Sequence, residues 1–164
     1  MNKKRLLNLV YFIFLGLLLY QIVPRTLHNF HSEGQSLPSV NAYNLSTDTE
    51  TLFPPASGNA IAIFWATWCG PCKLEMKRLR SSVEDGKIPQ DRIFAINPFE
   101  NRETILKFLS QEKFPFQFIE APELVKDMKV EVTPTTLLIE SGKITNRSSG
   151  LSLIGIWKAE LLFR

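Results

Sequence analysis

The sequence predicts an α/β layered domain with a mixed central sheet, largely parallel at its centre and antiparallel at its edge, flanked by helices. An N-terminal membrane-spanning helix precedes it. Three observations lead there. From residue 60 onward, apolar runs of strand length alternate with segments of helical period. An uncharged run from Leu6 to Val23 follows the basic tip Asn2-Lys3-Lys4-Arg5. Cys69 and Cys72, the only cysteines, sit just after the apolar run Ala60-Ile61-Ala62-Ile63-Phe64-Trp65, where a strand should give way to a helix.

The bulk numbers narrow the choice of function. Of 164 residues, those beyond the first ~35 fit one domain of about 130 residues. Apolar content of 45% suffices for a core. The net charge of +3 is matched by Lys3, Lys4 and Arg5 alone, so the folded part is near neutral and offers no basic stripe for nucleic acid. One cysteine pair is too little for a disulfide-stapled scaffold. No Gly-rich phosphate loop or Cys-x-x-Cys-His is present, so no nucleotide, flavin or haem site is expected.

Residues 1–23 read as a membrane anchor. At 1.5 Å per residue, Leu6 to Val23 spans about 27 Å, close to the ~30 Å hydrocarbon layer. Tyr20 suits the outer interface, and Lys3, Lys4 and Arg5 outweigh Arg25, which places the N-terminus in the cytoplasm. A cleaved signal peptide is the competing reading. It requires a shorter apolar region and a small-x-small site, which Val23 to His28 lacks. Residues 24–38, with Pro24, Gly34, Ser36 and Pro38, have linker composition. His28 and His31 fall there, as solvated residues or a weak metal pair. Residues 39–164 form the domain.

Within it, Val40–Leu45 and Glu50–Phe53 read as a lead-in strand pair and residues 54–59 as a loop. Ala60–Trp65 is a strand covered on both faces. A helix is expected from Cys69 to about Glu84, with Leu74, Met76, Leu79 and Val83 among its apolar positions, ending at Asp85-Gly86. Arg92–Asn97 is a second buried strand. Asn101 caps a helix to Gln111 that buries Ile105, Leu106, Phe108 and Leu109. Phe116–Ile119 is a short strand, and Pro122 opens a helix to Lys129. Thr135–Glu140 and Lys143–Thr145 form a hairpin across Ser141-Gly142. A closing helix, Leu151–Phe163, presents Leu153, Ile154, Ile156, Trp157, Leu161 and Leu162 as its apolar side. Phe114, Phe116 and Phe118 are either core or a docking patch.

A thiol attacks as its thiolate, and a helix N-terminus stabilises that anion with unpaired N–H groups and the positive dipole end. Cys69 therefore reads as nucleophile and Cys72, one turn deeper, as resolving thiol. Gly70 permits the tight turn, and Pro71 fits the first helical turn, where its missing N–H is not needed. A static disulfide and half of a zinc site are the alternatives. Zinc requires further ligands, and only His28 and His31 exist.

Phe64-Trp65-Ala66-Thr67-Trp68-Cys69-Gly70-Pro71-Cys72-Lys73 resembles the active-site segment of the thioredoxin superfamily, and Val132-Thr133-Pro134-Thr135-Thr136 resembles its cis-proline segment. Over residues 36–163 the chain is most similar to the membrane-anchored TlpA/ResA/CcmG group of thiol–disulfide oxidoreductases. The anchor, the extra stretch Asn101–Lys129, and Glu75 three residues after Cys72 carry that similarity. The resemblance implies a thioredoxin-like fold, a redox-active Cys69–Cys72 disulfide with no other cofactor or metal, and a cis bond before Pro134 that exposes the Thr133 backbone to a bound polypeptide. Trp68, Gly70, Pro71, Thr133 and Pro134 form the substrate surface. Glu75, which shares a helix face with Cys72, is either its proton acceptor or a solvated partner of Arg78. Ile63 stands where thioredoxin has a buried aspartate, and Lys77 where many relatives have a kinking proline. Trp65 belongs to the aromatic frame or to the core.

The Gly-Pro pair between the cysteines favours a reductant, since thioredoxin lies near −270 mV against about −120 mV for the oxidant DsbA. The group resemblance implies a membrane-embedded dithiol electron donor and oxidised protein substrates, among them apocytochrome c. It places the catalytic domain on the periplasmic, extracytoplasmic side of a single-pass anchor in the cytoplasmic membrane. A thiol-based copper-handling protein and a non-catalytic peptide-binding module are the alternatives on the same fold.

Overall fold

The computed structural model describes the backbone of residues 3–164, and the side chains of all of these except residues 3 and 21–32. Helix α1 (Lys3–Ser32) leads to strands β1 (Val40–Asn44), β2 (Thr49–Phe53) and β3 (Asn59–Phe64). Then come α2 (Gly70–Glu84), β4 (Ile93–Ile96), α3 (Arg102–Gln111), β5 (Gln117–Glu120) and α4 (Pro122–Met128). Strands β6 (Thr135–Glu140) and β7 (Lys143–Ser149) and helix α5 (Gly155–Leu162) complete the chain.

Seven strands form one sheet in the order β2-β1-β5-β4-β3-β6-β7. The centre, β5-β4-β3, is parallel, and both flanks are antiparallel. Strands β3 and β4 are buried almost throughout, as parallel strands covered on two faces must be. Alternate residues feed two cores. Ile61, Ile63, Trp65, Ile93, Ala95 and Phe118 face α2, α3 and α5. Ala60, Ala62, Phe64, Phe94, Ile96 and Ile119 face α4 and side chains of β1 and β2. Period-two alternation in the strands therefore assigns each side chain to a layer.

Several expectations need correction. Leu74 is 49% exposed, and Leu106 is exposed as well. The buried stripe of α2 is Cys72, Glu75, Met76, Leu79 and Ser82, so two polar residues occupy positions that apolar content alone assigns to leucine. Ser82 is satisfied there by the Glu160 carboxylate at 2.8 Å. The closing helix begins at Gly155 rather than Leu151. It buries its small residues, Gly155 and Ala159, while Leu153 (85%), Ile154 and Trp157 (57%) are exposed. Small residues let α5 approach closely, which a bulky face prevents. Phe116 and Phe118 are buried with Phe114 packed against them, so this cluster is core.

The N-terminal region also differs from its reading. α1 runs through Pro24 to Ser32, where linker composition predicted coil. Residues 34–37 lie along the outer edge of β7. The Gly34 and Leu37 N–H groups donate to the Ile144 and Gly142 carbonyls, and Ile144 N–H donates to Gln35. Asn146 Nδ2 donates to Glu33 Oε1 at 3.0 Å. Among the described residues no helix is long and apolar enough to cross a membrane. The side chains of residues 21–23, the last part of the expected span, and those of His28 and His31 lie outside the described residues.

Candidate active site

The cysteines close the N-terminus of α2. Cys69 is its N-cap, in extended backbone conformation, and its Sγ accepts the Cys72 N–H at 3.2 Å. The sulfur thus occupies the position where a Ser or Asp oxygen would satisfy an orphan helix donor. The same N–H stabilises a thiolate at Cys69 once the bond to Cys72 is reduced. The structure holds the oxidised pair, with a Cys69–Cys72 disulfide of 2.03 Å. Pro71 sits in the first helical turn. Cys72 is fully enclosed, Cys69 is nearly so, and Gly70 and Pro71 between them are exposed.

Sheet register brings Pro134 to the same end. The β3–β6 pairing ends at Phe64–Thr135, so Pro134 lies one step beyond, where β3 passes into the loop that carries the cysteines. The Thr133–Pro134 bond is cis, as is Phe53–Pro54, which the sequence reading did not single out. Pro134 is buried and Thr133 half-buried. The Pro134 carbonyl accepts the Gly150 N–H at 2.7 Å, which ties the end of β7 to this loop. Because β3 and β4 are parallel, their carboxyl ends share this edge, the usual place for a site in such a sheet.

Glu75 is 1% exposed, one turn beyond Cys72 on the same helix. Its Oε2 accepts from Arg78 Nη1 at 3.2 Å. Burial raises its carboxyl above the ordinary carboxylate range, and the Arg78 charge and hydrogen bond pull against that rise. Glu75 therefore pairs with Arg78, but it does so inside the protein rather than in solvent. Trp65 is core, packed against Phe108 and Phe118. Trp68 is 67% exposed, its ring 6.0 Å from the exposed Phe99. Lys73 lies over the Phe108 ring.

Glu100 escaped the sequence reading. Its carboxylate accepts from the Thr67 N–H at 2.6 Å, from Thr67 Oγ1, and from Asn97 Nδ2 at 2.7 Å. Burial raises this carboxyl, but the Thr67 and Asn97 hydrogen bonds and the Lys73 charge outweigh it and hold it below its ordinary value. The carboxylate thereby fixes the loop that carries the cysteines. The local signal is Asn97-Pro98-Phe99-Glu100, an Asx turn in which Asn97 Oδ1 accepts the N–H groups of Phe99 and Glu100. Such a turn does not reveal that it faces Thr67. Among the described residues no group of three or more His, Cys, Asp or Glu is placed to hold a metal.

The AhpC/TSA family matches residues 34–147. The chain belongs to the AhpC/TSA family. It is 25% identical over 156 residues to sporulation thiol-disulfide oxidoreductase A of Bacillus subtilis, covering 92% of each chain. It is 31% identical over 90 residues to thiol-disulfide oxidoreductase ResA of Bacillus thuringiensis, about half of each chain. The crystal structure of StoA from Bacillus subtilis superposes with a TM-score of 0.66 at 20% identity, covering 77% of this chain and 97% of that one. The fold is therefore thioredoxin-like, and this AhpC/TSA member is a thiol–disulfide oxidoreductase.

Proposed function

We propose that the chain reduces disulfides in exported proteins from the outer side of a membrane, held there by residues 1–23 as an uncleaved anchor and fed electrons by a membrane-embedded dithiol carrier. The catalytic machinery is Cys69, Cys72 and Glu75, and the substrate polypeptide meets Trp68, Gly70, Pro71, Thr133 and Pro134. The observation that carries this reading is the Cys69–Cys72 pair at the α2 N-terminus with a buried carboxyl group one turn behind it. Disulfide substrates accord with relatives named thiol-disulfide oxidoreductases, and apocytochrome c is one such substrate on this reading. The uncharged run Leu6–Val23 behind a basic tip supports the anchor.

The reaction balances as two exchanges. The Cys69 thiolate attacks one sulfur of the substrate disulfide, forming a mixed disulfide and releasing a substrate thiolate that takes a proton from water. The Cys72 thiol then gives its proton to Glu75, and its sulfur attacks Cys69 Sγ. The second substrate sulfur leaves as thiolate, and Cys69–Cys72 is oxidised by two electrons. Equilibration of the chain with dithiothreitol or glutathione buffers, followed by thiol trapping, tests the direction. A potential below about −230 mV is expected for a reductant, whereas one above about −150 mV makes the protein an oxidant or isomerase. No reversible couple would leave a static disulfide or a peptide-binding module.

A further inference from the structure

Arg78 joins three parts of the site. Its Nη1 donates to Glu75 Oε2 at 3.2 Å and to the Ser152 carbonyl at 2.7 Å. Its Nη2 donates to the Leu153 carbonyl at 3.1 Å. Those carbonyls belong to the short segment between β7 and α5, whose first residue, Gly150, donates to the Pro134 carbonyl. A continuous path therefore runs from the cis-proline, through residues 150–153, to Arg78 and Glu75. Gly155 closes over the carboxylate: a Cβ there would lie 3.5 Å from Glu75 Oε1 and 2.9 Å from Ser152 Cβ.

The geometry points to Arg78 as a positioning residue that keeps Glu75 ionised and fixed one turn from Cys72, ready to take the Cys72 proton in the resolving step. This rests on the reading of Glu75 as that acceptor. A carboxylate enclosed without a cation neutralises itself, and a neutral carboxyl accepts no proton. Arg78 supplies the cation, and its two carbonyl bonds restrain the guanidinium. From α2, Glu75 is faced by Arg78, and Cys72 precedes it by one turn on the same buried stripe. From the segment across it, it is faced by Gly155, which packs on Ser152, and neither carries a charge. On α5, Glu160 is engaged by Ser82 and Lys87. Among the described residues, Arg78 is the charge acting on the Glu75 carboxyl.

The test uses the reduced full chain in detergent and 5,5′-dithiobis(2-nitrobenzoate). Attack by Cys69 releases one thionitrobenzoate, and attack by Cys72 on the resulting mixed disulfide releases the second. The two phases are followed by stopped flow across pH. In Arg78→Met the second phase should lose rate toward acid, its limb displaced upward by about one pH unit, a tenfold loss on that limb. The first phase should be unchanged. Arg78→Lys should restore the limb in part, and Glu75→Gln should abolish it. A wild-type limb in Arg78→Met, or both phases falling together at every pH, overturns the role of Arg78 while Glu75 stands. A wild-type limb in Glu75→Gln overturns the reading of Glu75, and that of Arg78 with it.

Discussion

At the scale of single residues, the site contrasts two carboxylates with opposite shifts. Burial lifts Glu75 above its ordinary value of 4.5, whereas the hydrogen bonds from Thr67 and Asn97 hold Glu100 below it. Between 4.5 and its raised value, Glu75 keeps a proton in the folded chain that the unfolded chain has released. Its contribution to stability is therefore largest below 4.5, declines as pH rises through that window, and is level above it. Glu100 behaves inversely: its contribution is present above 4.5 and is lost as pH falls through its lowered value. Comparing Glu75→Gln with the native chain cancels the Glu100 contribution. Urea midpoints from about pH 4 to about pH 8 should fall for the native chain relative to the variant. A difference that does not change with pH would contradict the raised Glu75. Glu75 was legible in the sequence as a position one turn from Cys72. Its burial was not, because burial depends on α5 and residues 150–155 closing over it.

At the scale of elements, the strands and helix caps were largely legible, and the helix faces less so. Asn101 caps α3 by accepting the Thr104 N–H, as its side-chain chemistry dictates. Asp85 and Gly86 end α2, with Gly86 at positive φ. Apolar count alone assigns α5 the wrong buried face. Close packing against α2 selects Gly155 and Ala159 instead. Gly155→Ala should therefore destabilise the protein although alanine favours helix. Its Cβ would meet Ser152 Cβ at 2.9 Å and Oγ at 3.0 Å, an overpacking that costs about 1–3 kcal/mol. A lowered thermal midpoint checks this, and an unchanged or raised one would show that the Ser152 turn yields freely.

At the scale of the whole molecule, the domain begins earlier than composition indicated, because residues 34–37 pair with β7. An exposed β7 edge would otherwise offer unpaired backbone groups to other chains. A chain starting at residue 39 should be less stable than one starting at residue 33 by about 3 kcal/mol, from three backbone hydrogen bonds and the burial of Leu37. Equal denaturation midpoints would show that this segment is no part of the domain. The order of strands and helices, the cysteine pair at the start of α2 and the proline before β6 are readable from the chain alone. Those follow from local periods, from turn chemistry and from residue types with few uses. That Glu100 grips Thr67, that Arg78 ties Glu75 to residues 152–153, and that α5 turns its small residues inward emerge only when the layers pack. Each of these joins segments at least 33 positions apart in sequence, and no local pattern encodes which distant partner a side chain will meet once the layers close.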